Sequence, residues 1–290
     1  MSQIFNKIAL VGKHNLTSLS KPMLKLAEFL LRRGHDVVVT PHTAEFCHLT
    51  DLPCAPLSEI AGEIDLAIVM GGDGTMLNIA RTLVDHRVPL IGVNQGRVGF
   101  LADVPVNAML PMLEAMLSGE YVTEERVMLD SALERRGDLQ FHAYAFNDVV
   151  VSKGNTGRLI EFEVYIDNQF VYSQRADGLV VASPTGSTAY ALSTGGPILH
   201  PSLEAFVLAP ICPHTLSARP IAVNSRSEIE INVIHADDAR AHFDGQCHQD
   251  LHIGDRVIVQ RAKNTVRLLQ PVGHNYYDTL RQKLHWGAKL

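Results

Sequence analysis

Long apolar runs, long basic runs and closely paired cysteines are all missing from this sequence of 290 residues. Without a run of membrane-spanning length, we expect no transmembrane helix. A formal net charge of -6 with no long basic stretch disfavours nucleic acid and anionic membranes as partners. Residues 1–7 also lack the charged segment and apolar stretch that mark a secretory signal, so we expect a cytoplasmic location.

The four cysteines are spread along the chain, at Cys47, Cys54, Cys212 and Cys247. They have neither the paired spacing nor the density of a disulfide scaffold, which predicts reduced structural thiols. A metal site formed by Cys247, His248 and His252, or by Cys212 and His214, is the alternative. Structural zinc normally shows two spaced pairs of ligands, and none is visible here, so the sequence assigns no metal ligand.

The first third of the chain alternates short apolar runs with helical patterns, which predicts a parallel sheet with crossover helices. The predicted strands are residues 8–11, 36–40, 66–70 and 90–93. A helix over 23–33, closed by Gly34, joins the first two strands. Further helices are predicted from about Thr75 to Val84 and over 106–117.

After about Val122 the pattern changes to many short β-rich segments separated by turn residues, which predicts a second, mainly-β domain. Residues 276–286 return to helical spacing and predict a helix that packs on the first domain or on another subunit. We therefore expect an α/β domain over 1–122, a mainly-β domain over 123–272 and a C-terminal helix over 273–290.

The most informative segment is Gly71-Gly72-Asp73-Gly74-Thr75, which follows a predicted buried strand. A glycine turn between strand and helix lets backbone N–H groups approach phosphate oxygens, and a carboxylate among those donors would repel phosphate. Asp73 becomes useful if it accepts a proton from an attacking hydroxyl or holds a metal ion on the phosphates, which indicates phosphoryl transfer. Alternatively, the glycines supply positive φ angles and Asp73 only caps the following helix.

Three other segments could contribute to a nucleotide site. A second glycine loop runs from Asn94 to Leu101, and alone it could be a simple packing loop. Asn147 and Asp148 could bind sugar hydroxyls or a base edge, or could form an Asx turn. The hydroxyl-rich segment 183–190 could be a nucleotide cradle with Tyr190 beside a base or ribose, or a plain structural loop.

Together these segments resemble the ATP-NAD kinase family in its proteobacterial form, whose members phosphorylate the 2′-hydroxyl of the adenosine ribose of NAD. The resemblance covers nearly the whole chain. The first motif alone is shared with lipid kinases and, loosely, with phosphofructokinases, so the specificity comes from the set and its order. The motifs are Gly71-Gly72-Asp73-Gly74-Thr75, Asn94-x-Gly96-x-x-Gly99-Phe100-Leu101, Asn147-Asp148, Asp177-Gly178, Thr185-Gly186-Ser187-Thr188-Ala189-Tyr190 and Gly195-Gly196-Pro197.

The resemblance implies the roles of individual residues. Asp73 would be the catalytic acid-base group, and the C-terminal domain would be sandwich-like, with the last helix returning to the first domain. The implied substrate-binding or nucleotide-binding residues are Gly74, Asn147, Asp148, Arg158, Arg175, Asp177, Thr188, Ala189, Tyr190, Ala191, Leu192, Ser193 and Gln246.

The family further implies ATP as phosphoryl donor, a divalent metal ion such as Mg²⁺, and a homo-oligomer, either a dimer or a tetramer. Some members also use inorganic polyphosphate, and no motif here distinguishes the two donors. The residue at the position of Arg175 varies with the choice between NAD and NADH, and arginine resembles the NAD-preferring form.

Two other functions are open to this sequence. A diacylglycerol-type or sphingosine-type lipid kinase shares the glycine–aspartate turn, but the sequence shows neither a basic amphipathic surface helix nor an anchor. A non-catalytic dinucleotide sensor would keep the binding residues, yet it would gain nothing from an anion beside phosphates.

Overall fold

The computed structural model describes residues 4–13, 17–95, 99–155 and 157–287, and the chain divides into two compact units. The first unit combines Met1–Glu125 with Val266–Leu290, and the second is Arg126–Thr265. Among the described residues, no helix has both the length and the apolar character needed to cross a bilayer.

Strands and helices alternate along the first part of the chain. Their order is β1 (Lys7–Gly12), α1 (Ser20–Arg32), β2 (Asp36–Val39), α2 (Pro41–Cys47), α3 (Leu57–Ile60), β3 (Leu66–Met70), α4 (Asp73–Leu83), β4 (Leu90–Asn94), β5 (Val104–Pro105), α5 (Met109–Leu117) and β6 (Tyr121–Arg126).

The rest of the chain is mostly strand. Its elements are β7 (Leu129–Arg135), β8 (Asp138–Ala145), β9 (Asp148–Lys153), β10 (Ile160–Ile166), β11 (Gln169–Ala176), β12 (Gly178–Ala182), a 3₁₀ turn (Gly186–Thr188), α6 (Tyr190–Ser193), β13 (Ala205–Ile211), β14 (Ile221–Asn224), β15 (Ile229–His235), β16 (Ala239–Phe243), β17 (Cys247–Leu251), β18 (Arg256–Arg261), β19 (Val266–Pro271) and α7 (Tyr276–Leu284).

The first unit contains a sheet in the order β2-β1-β3-β4-β19-β6, with β5 paired to β4. The pairs β1–β2, β1–β3, β3–β4, β4–β5 and β4–β19 are parallel, which confirms the predicted parallel sheet. Every residue of β3 and β4 is buried, because crossover helices cover such a sheet and leave its strands uniformly apolar. This burial fixes the strand ends that carry the glycine loops.

The second unit is built from two six-stranded antiparallel sheets, ordered β11-β10-β15-β18-β7-β8 and β14-β13-β12-β9-β16-β17. Their facing sides share one core, in which Phe162 of the first sheet belongs to the same buried cluster as Phe206 and Phe243 of the second. The unit is therefore a β-sandwich, as expected. The opposite face of the second sheet is also covered, since Val180 and Val207 pack with Ala191 of α6.

The boundaries of the units differ from those predicted. Residues 266–271 form β19 of the parallel sheet, where Leu268 pairs with Leu90, although the sequence places them in the mainly-β domain. The physical reason is that a short apolar strand has the same pattern in either sheet, and only packing selects its partner. The second unit begins at Arg126 rather than at residue 123.

Two helices also begin elsewhere than predicted. The helix α4 starts at Asp73 rather than near Thr75, and α5 starts at Met109 rather than at residue 106. Pro111 lies in the first turn of α5, where its missing N–H breaks no helical hydrogen bond. The C-terminal helix α7 belongs to the first unit, and Asn275 caps it by accepting the N–H of Tyr277 at 2.9 Å.

Candidate functional site

The carboxyl ends of β3 and β4 lie side by side, because the two strands are adjacent and parallel. The turn that begins at Gly71 follows β3, and the loop that ends at Leu101 follows β4. The N–H of Gly71 donates to the carbonyl oxygen of Val93 at 2.9 Å. Both glycine loops therefore lie at the sheet edge where ligands collect in open α/β folds. Gly96, Arg97 and Val98 of the second loop lie outside the described residues.

Asp73 is the first residue of α4, and the cap position belongs to Gly72. One oxygen of its carboxylate accepts the backbone N–H of Phe100 at 3.0 Å, and the other accepts that of Leu101 at 3.1 Å. The side chain thus reaches across to the second glycine loop, so helix capping alone does not describe its role. The two donors orient the carboxylate.

Close packing, rather than an unusual backbone conformation, requires glycine at positions 71 and 99 near Asp73. None of Gly71, Gly72 and Gly74 has a positive φ, which makes the explanation from turn geometry wrong. A Cβ atom on Gly71 would lie 2.6 Å from Oγ1 of Thr75, and one on Gly99 would lie 2.2 Å from Oδ1 of Asp73. A side chain at position 99 would push the carboxylate out of place.

The carboxylate of Asp73 keeps the capacity to accept a proton. It is partly exposed, and each of its oxygens has a lone pair beyond the one used by Phe100 or Leu101. Gly72 and Gly74 on either side are exposed. A hydroxyl substrate can therefore approach the carboxylate beside exposed backbone at the start of α4.

The second unit has a cavity of about 480 Å³, a size suited to part of a nucleotide. The start of β9, the start of α6 and the β16–β17 turn form its walls. The lining residues are Asn147, Asp148, Val150, Ser152, Ala189, Tyr190, His242, Asp244 and Gly245.

Asp244 organises the strand start beside this cavity. Its carboxylate accepts the backbone N–H groups of Phe146 at 2.9 Å, Asn147 at 2.7 Å and Asp148 at 3.2 Å. In return, the N–H of Asp244 donates to the carbonyl oxygen of Asp148 at 2.9 Å. Asp244 adopts a positive φ of 52°, which the following Gly245 helps the turn to accommodate. This network fixes the backbone that presents Asn147 and Asp148.

Asp148 is the strongly perturbed acid of the cavity. It is 5% exposed, and its pKa is raised to about 7. Burial is the main cause and the nearby charge of Asp244 adds to it, while the N–H of Tyr190 donates to the carboxylate and opposes the shift. Near neutral pH the side chain can therefore either donate or accept a hydrogen bond.

The segment 183–190 packs tightly against the strand start. The hydroxyl of Ser183 donates to the carbonyl oxygen of Phe146 at 2.5 Å, and its N–H donates to that of Asn147 at 2.9 Å. A Cβ atom on Gly186 would lie 2.0 Å from the carbonyl oxygen of Asn147. This segment is thus a built wall of the cavity, and the position of Tyr190 depends on it.

Four of the residues implied by the resemblance line this cavity together: Asn147, Asp148, Ala189 and Tyr190. Gln246 directly follows Gly245, which also lines it. Asp177 forms an ion pair with Lys153 at 2.7 Å. Its charge also contributes to the raised pKa of Tyr190, after burial and Cys212.

Other implied residues lie elsewhere. Arg158 is paired with Asp237 at 2.8 Å, and its side chain is 80% exposed. Arg175 is exposed and lines a separate cavity of about 540 Å³ that also contains Gln174, His214 and Arg219. Ala191 is buried in the core beneath α6.

Four further positions lie in the 183–193 segment or in the other unit. The hydroxyl of Thr188 donates to the carbonyl oxygen of Thr185 at 3.1 Å. Leu192 is half-buried and Ser193 is exposed. Gly74 belongs to the first unit, beside Asp73.

Sequence reasoning missed Asp244, His242 and Ser152. Asp244 stands in an Asp-Gly turn between two short β patterns, a signal that could have indicated its part in the network. His242 and Ser152 face the cavity only because their strands, β16 and β9, are neighbours in the sheet. No local pattern carries that information.

Over the described ranges, no group of three or more His, Cys, Asp or Glu side chains is placed to hold a metal ion. The clusters around Cys247 and Cys212 therefore do not form such a site. Mg²⁺ in phosphoryl-transfer sites usually keeps several waters and binds through one or two carboxylates and the substrate phosphates. The single carboxylate at the glycine turn fits this kind of ion, carried by a nucleotide.

Two family models match the chain. The ATP-NAD kinase N-terminal domain matches residues 8–121, and the ATP-NAD kinase C-terminal domain matches residues 146–270. Among curated proteins, the chain is 58% identical over 286 residues to the NAD kinase of Thiobacillus denitrificans, covering 99% of each chain. It is 50% identical over 290 residues to the NAD kinase of Chromobacterium violaceum, covering 100% of both.

Two solved structures of similar fold are also kinases of NADH or NAD. The yeast NADH kinase complexed with NADH superimposes with a TM-score of 0.91 at 25% identity, covering 100% of this chain and 90% of the other. An NAD kinase from Archaeoglobus fulgidus in complex with ATP gives a TM-score of 0.75 at 25% identity, covering 95% of this chain and 99% of the other.

Proposed function

The chain belongs to the ATP-NAD kinase family, and from this premise we propose that it transfers the terminal phosphoryl group of ATP to the 2′-hydroxyl of the adenosine ribose of NAD. The products are NADP and ADP. The observation that carries the chemistry is the Asp73 carboxylate, oriented by the N–H groups of Phe100 and Leu101 at the edge of the parallel sheet.

In the proposed mechanism, Asp73 accepts the proton of the ribose hydroxyl as the oxygen attacks phosphorus. A ribose hydroxyl is a weak nucleophile at neutral pH, so a positioned base lowers the barrier. The two N–H groups hold one lone pair of each carboxylate oxygen, and the remaining lone pairs are available to the proton. Gly72 and Gly74 leave the adjacent backbone open to the phosphate chain.

We propose Mg²⁺ as the divalent ion of the reaction. It would be bound mainly by the phosphates of ATP, and Asp73 is the carboxylate available to it at the glycine turn. When bound, the ion offsets the negative charge that develops on the transferring phosphoryl group.

We propose that the residues around the cavity of the second unit bind NAD. The amide of Asn147 and the carboxyl of Asp148 present hydrogen-bonding groups that suit hydroxyls or a base edge, and Tyr190 offers an aromatic face. The other members of the proposed binding set are Gly74, Arg158, Arg175, Asp177, Thr188, Ala189, Ala191, Leu192, Ser193 and Gln246. We further propose NAD rather than NADH as the acceptor, because Arg175 resembles the NAD-preferring form.

The homo-oligomeric state and the cytoplasmic location expected from the sequence stay predictions. Size-exclusion chromatography with light scattering measures the subunit number directly.

The proposed reaction is tested by incubating purified protein with NAD, ATP and Mg²⁺ and detecting NADP with an NADP-specific dehydrogenase. We expect NADP to form in proportion to enzyme and to require all three components. Folded protein that binds NAD but forms no NADP, with ATP or with polyphosphate, would instead support a dinucleotide sensor. NADH and polyphosphate are substituted in turn to define the acceptor and donor.

The raised pKa of Asp148 predicts how the stability of this site depends on pH. The unfolded side chain loses its proton near pH 4, whereas the folded one keeps it to about pH 7. The stabilisation from the bound proton is therefore fully present below about pH 4 and is lost as the pH rises through 7. The gain in stability of Asp148→Asn relative to wild type should therefore be small near pH 4, grow as the pH rises and level off above about pH 7, at an amount on the order of 2–4 kcal/mol.

Urea unfolding at several pH values from about 4 to 8 measures this difference. Asp138→Asn is the matched control, because Asp138 is exposed in the same unit and forms no ion pair with another described residue, and its difference from wild type should change much less with pH. A pH-independent difference for Asp148→Asn as well would show that the Asp148 pKa is not raised in the folded protein.

A further inference from the structure

His274 lies in a cluster of opposite charges in the first unit, outside the glycine turn. Its Nδ1 lies 2.7 Å from Oδ2 of Asp103, and its Nε2 lies 3.4 Å from Oε1 of Glu124. The side chains of His274 and Asp103 are only 11% and 8% exposed. The imidazole thus joins the loop before β5 to strand β6, from the turn that leads into α7.

The ring is cationic at neutral pH. The contacts with Asp103 and then Glu124 raise the pKa of His274 to about 9, against the opposing effect of burial. Among the described residues, no hydrogen bond of good geometry reaches the buried carboxylate oxygens of Asp103, and the 2.7 Å contact with Nδ1 of His274 is a contact between charges. The charge of Asp103 is therefore balanced by His274, and loss of the cation would leave an uncompensated buried anion.

Asp103 directly follows the segment that orients Asp73. Phe100 and Leu101 donate to the Asp73 carboxylate, and the next carbonyl, that of Ala102, accepts Nδ2 of Asn94 at 2.8 Å. Ala102 also packs on β4 so closely that a Cβ atom on Gly92 would lie 2.6 Å from its Cα. Asp103 and the two N–H donors therefore belong to one short stretch of backbone that is packed on β4.

The C-terminal helix reinforces the same segment. Nζ of Lys283 in α7 lies 5.9 Å from the centre of the Phe100 ring, within the range of a cation–π contact. Phe100 is itself a donor to Asp73. The C-terminal segment therefore contacts residues 100–103 at both ends.

We propose that His274 is a positioning residue for phosphoryl transfer: by holding Asp103 it fixes the two backbone N–H groups that orient the Asp73 carboxylate. This inference rests on the proposed function for the role of Asp73. On this proposal, the contact between the C-terminal segment and the second glycine loop affects the rate of phosphoryl transfer.

The test compares His274→Gln and Asp103→Asn with Glu124→Gln. All three disturb the same cluster, but Glu124 lies on β6 and not on the loop. We expect His274→Gln to lower kcat by roughly tenfold or more with KM for NAD within about threefold of wild type, because a small misplacement of a catalytic group is costly. Asp103→Asn should lower kcat in the same way, and the double variant should be no worse than the poorer single one. Glu124→Gln should keep kcat within about twofold of wild type even if it lowers the melting temperature.

Hydrogen exchange of the Phe100 and Leu101 amides, followed by NMR, gives a readout independent of turnover. Exchange should accelerate by about tenfold in His274→Gln and Asp103→Asn but not in Glu124→Gln. The inference would be overturned if His274→Gln and Asp103→Asn both kept the kcat of the wild type and its amide exchange rates. An equal loss of kcat in these two variants and in Glu124→Gln would overturn it as well. If the wild type itself forms no NADP, the proposed function fails, and the exchange data then decide separately whether His274 orders the loop.

Discussion

Asp73→Asn is expected to lose nearly all NADP formation while the protein remains folded. Asparagine has the same size as aspartate but cannot accept a proton from the ribose hydroxyl. General-base catalysis typically contributes 10²- to 10⁴-fold, so kcat should fall by roughly this factor. NAD binding should change little, because the proposed NAD-binding cavity is lined by residues of the second unit.

The substitution also has a structural cost. Phe100 and Leu101 both donate to the carboxylate, and an amide can accept through its oxygen only. One N–H is left poorly paired, which should lower stability by about 1–2 kcal/mol. Thermal unfolding must therefore accompany the kinetics, so that loss of turnover is not mistaken for loss of fold.

Asp51→Asn serves as the matched control for this experiment, since Asp51 is an exposed aspartate in the same unit. It should keep the turnover of the wild type. A folded Asp73→Asn protein that retains kcat within tenfold of wild type would assign the proton to another group.

Gly186→Ala is expected to disrupt the cavity of the second unit. The new methyl group would lie 2.0 Å from the carbonyl oxygen of Asn147 and 2.6 Å from its Cα, and these backbone atoms cannot rotate away. Either the 183–190 segment or the start of β9 must move. Overpacking of this kind typically costs 1–3 kcal/mol and sometimes more.

Because Asn147, Asp148 and Tyr190 are held by these two segments, NAD affinity should fall together with stability, by at least about tenfold. Isothermal titration calorimetry measures the first quantity and thermal unfolding the second. Gly157→Ala is the matched control, since nothing lies within 4 Å of the Cβ that it would add and its φ is not positive. Unchanged NAD affinity in Gly186→Ala would show that the segment has no part in binding.

The fold class could be predicted from local sequence patterns. Residues 66–70 and 90–93 are uniformly apolar runs, and the structure buries all of these residues in a parallel sheet. The switch to short β segments after about residue 122 likewise predicted a mainly-β domain, and the family resemblance implied that this domain is sandwich-like. The strand β19 was assigned to the wrong domain, because its partner in the sheet lies about 180 residues earlier in the chain, at Leu90.

The candidate site could be predicted from the sequence only in part. The glycine–aspartate turn and the ordered set of motifs identified the family, which the comparisons confirm together with the kinase activity. The sequence also predicted Asp73 as the base, but not the two N–H groups that orient it. Phe100 and Leu101 lie 27 and 28 residues away from Asp73 in the chain. Such a pair is brought together only by the adjacency of β3 and β4.

What the sequence by itself determined is the chemistry available: an acid among glycines after a buried strand, an Asn-Asp pair, a hydroxyl-rich segment and their order. These are local properties, because a motif keeps its residue types whatever surrounds it. Tertiary structure alone decided which groups act on one another. The three N–H donors to Asp244, the burial that raises the pKa of Asp148 and the clamp of His274 on Asp103 all join distant parts of the chain. Charge balance and burial depend on packing in three dimensions, and no local spacing encodes them.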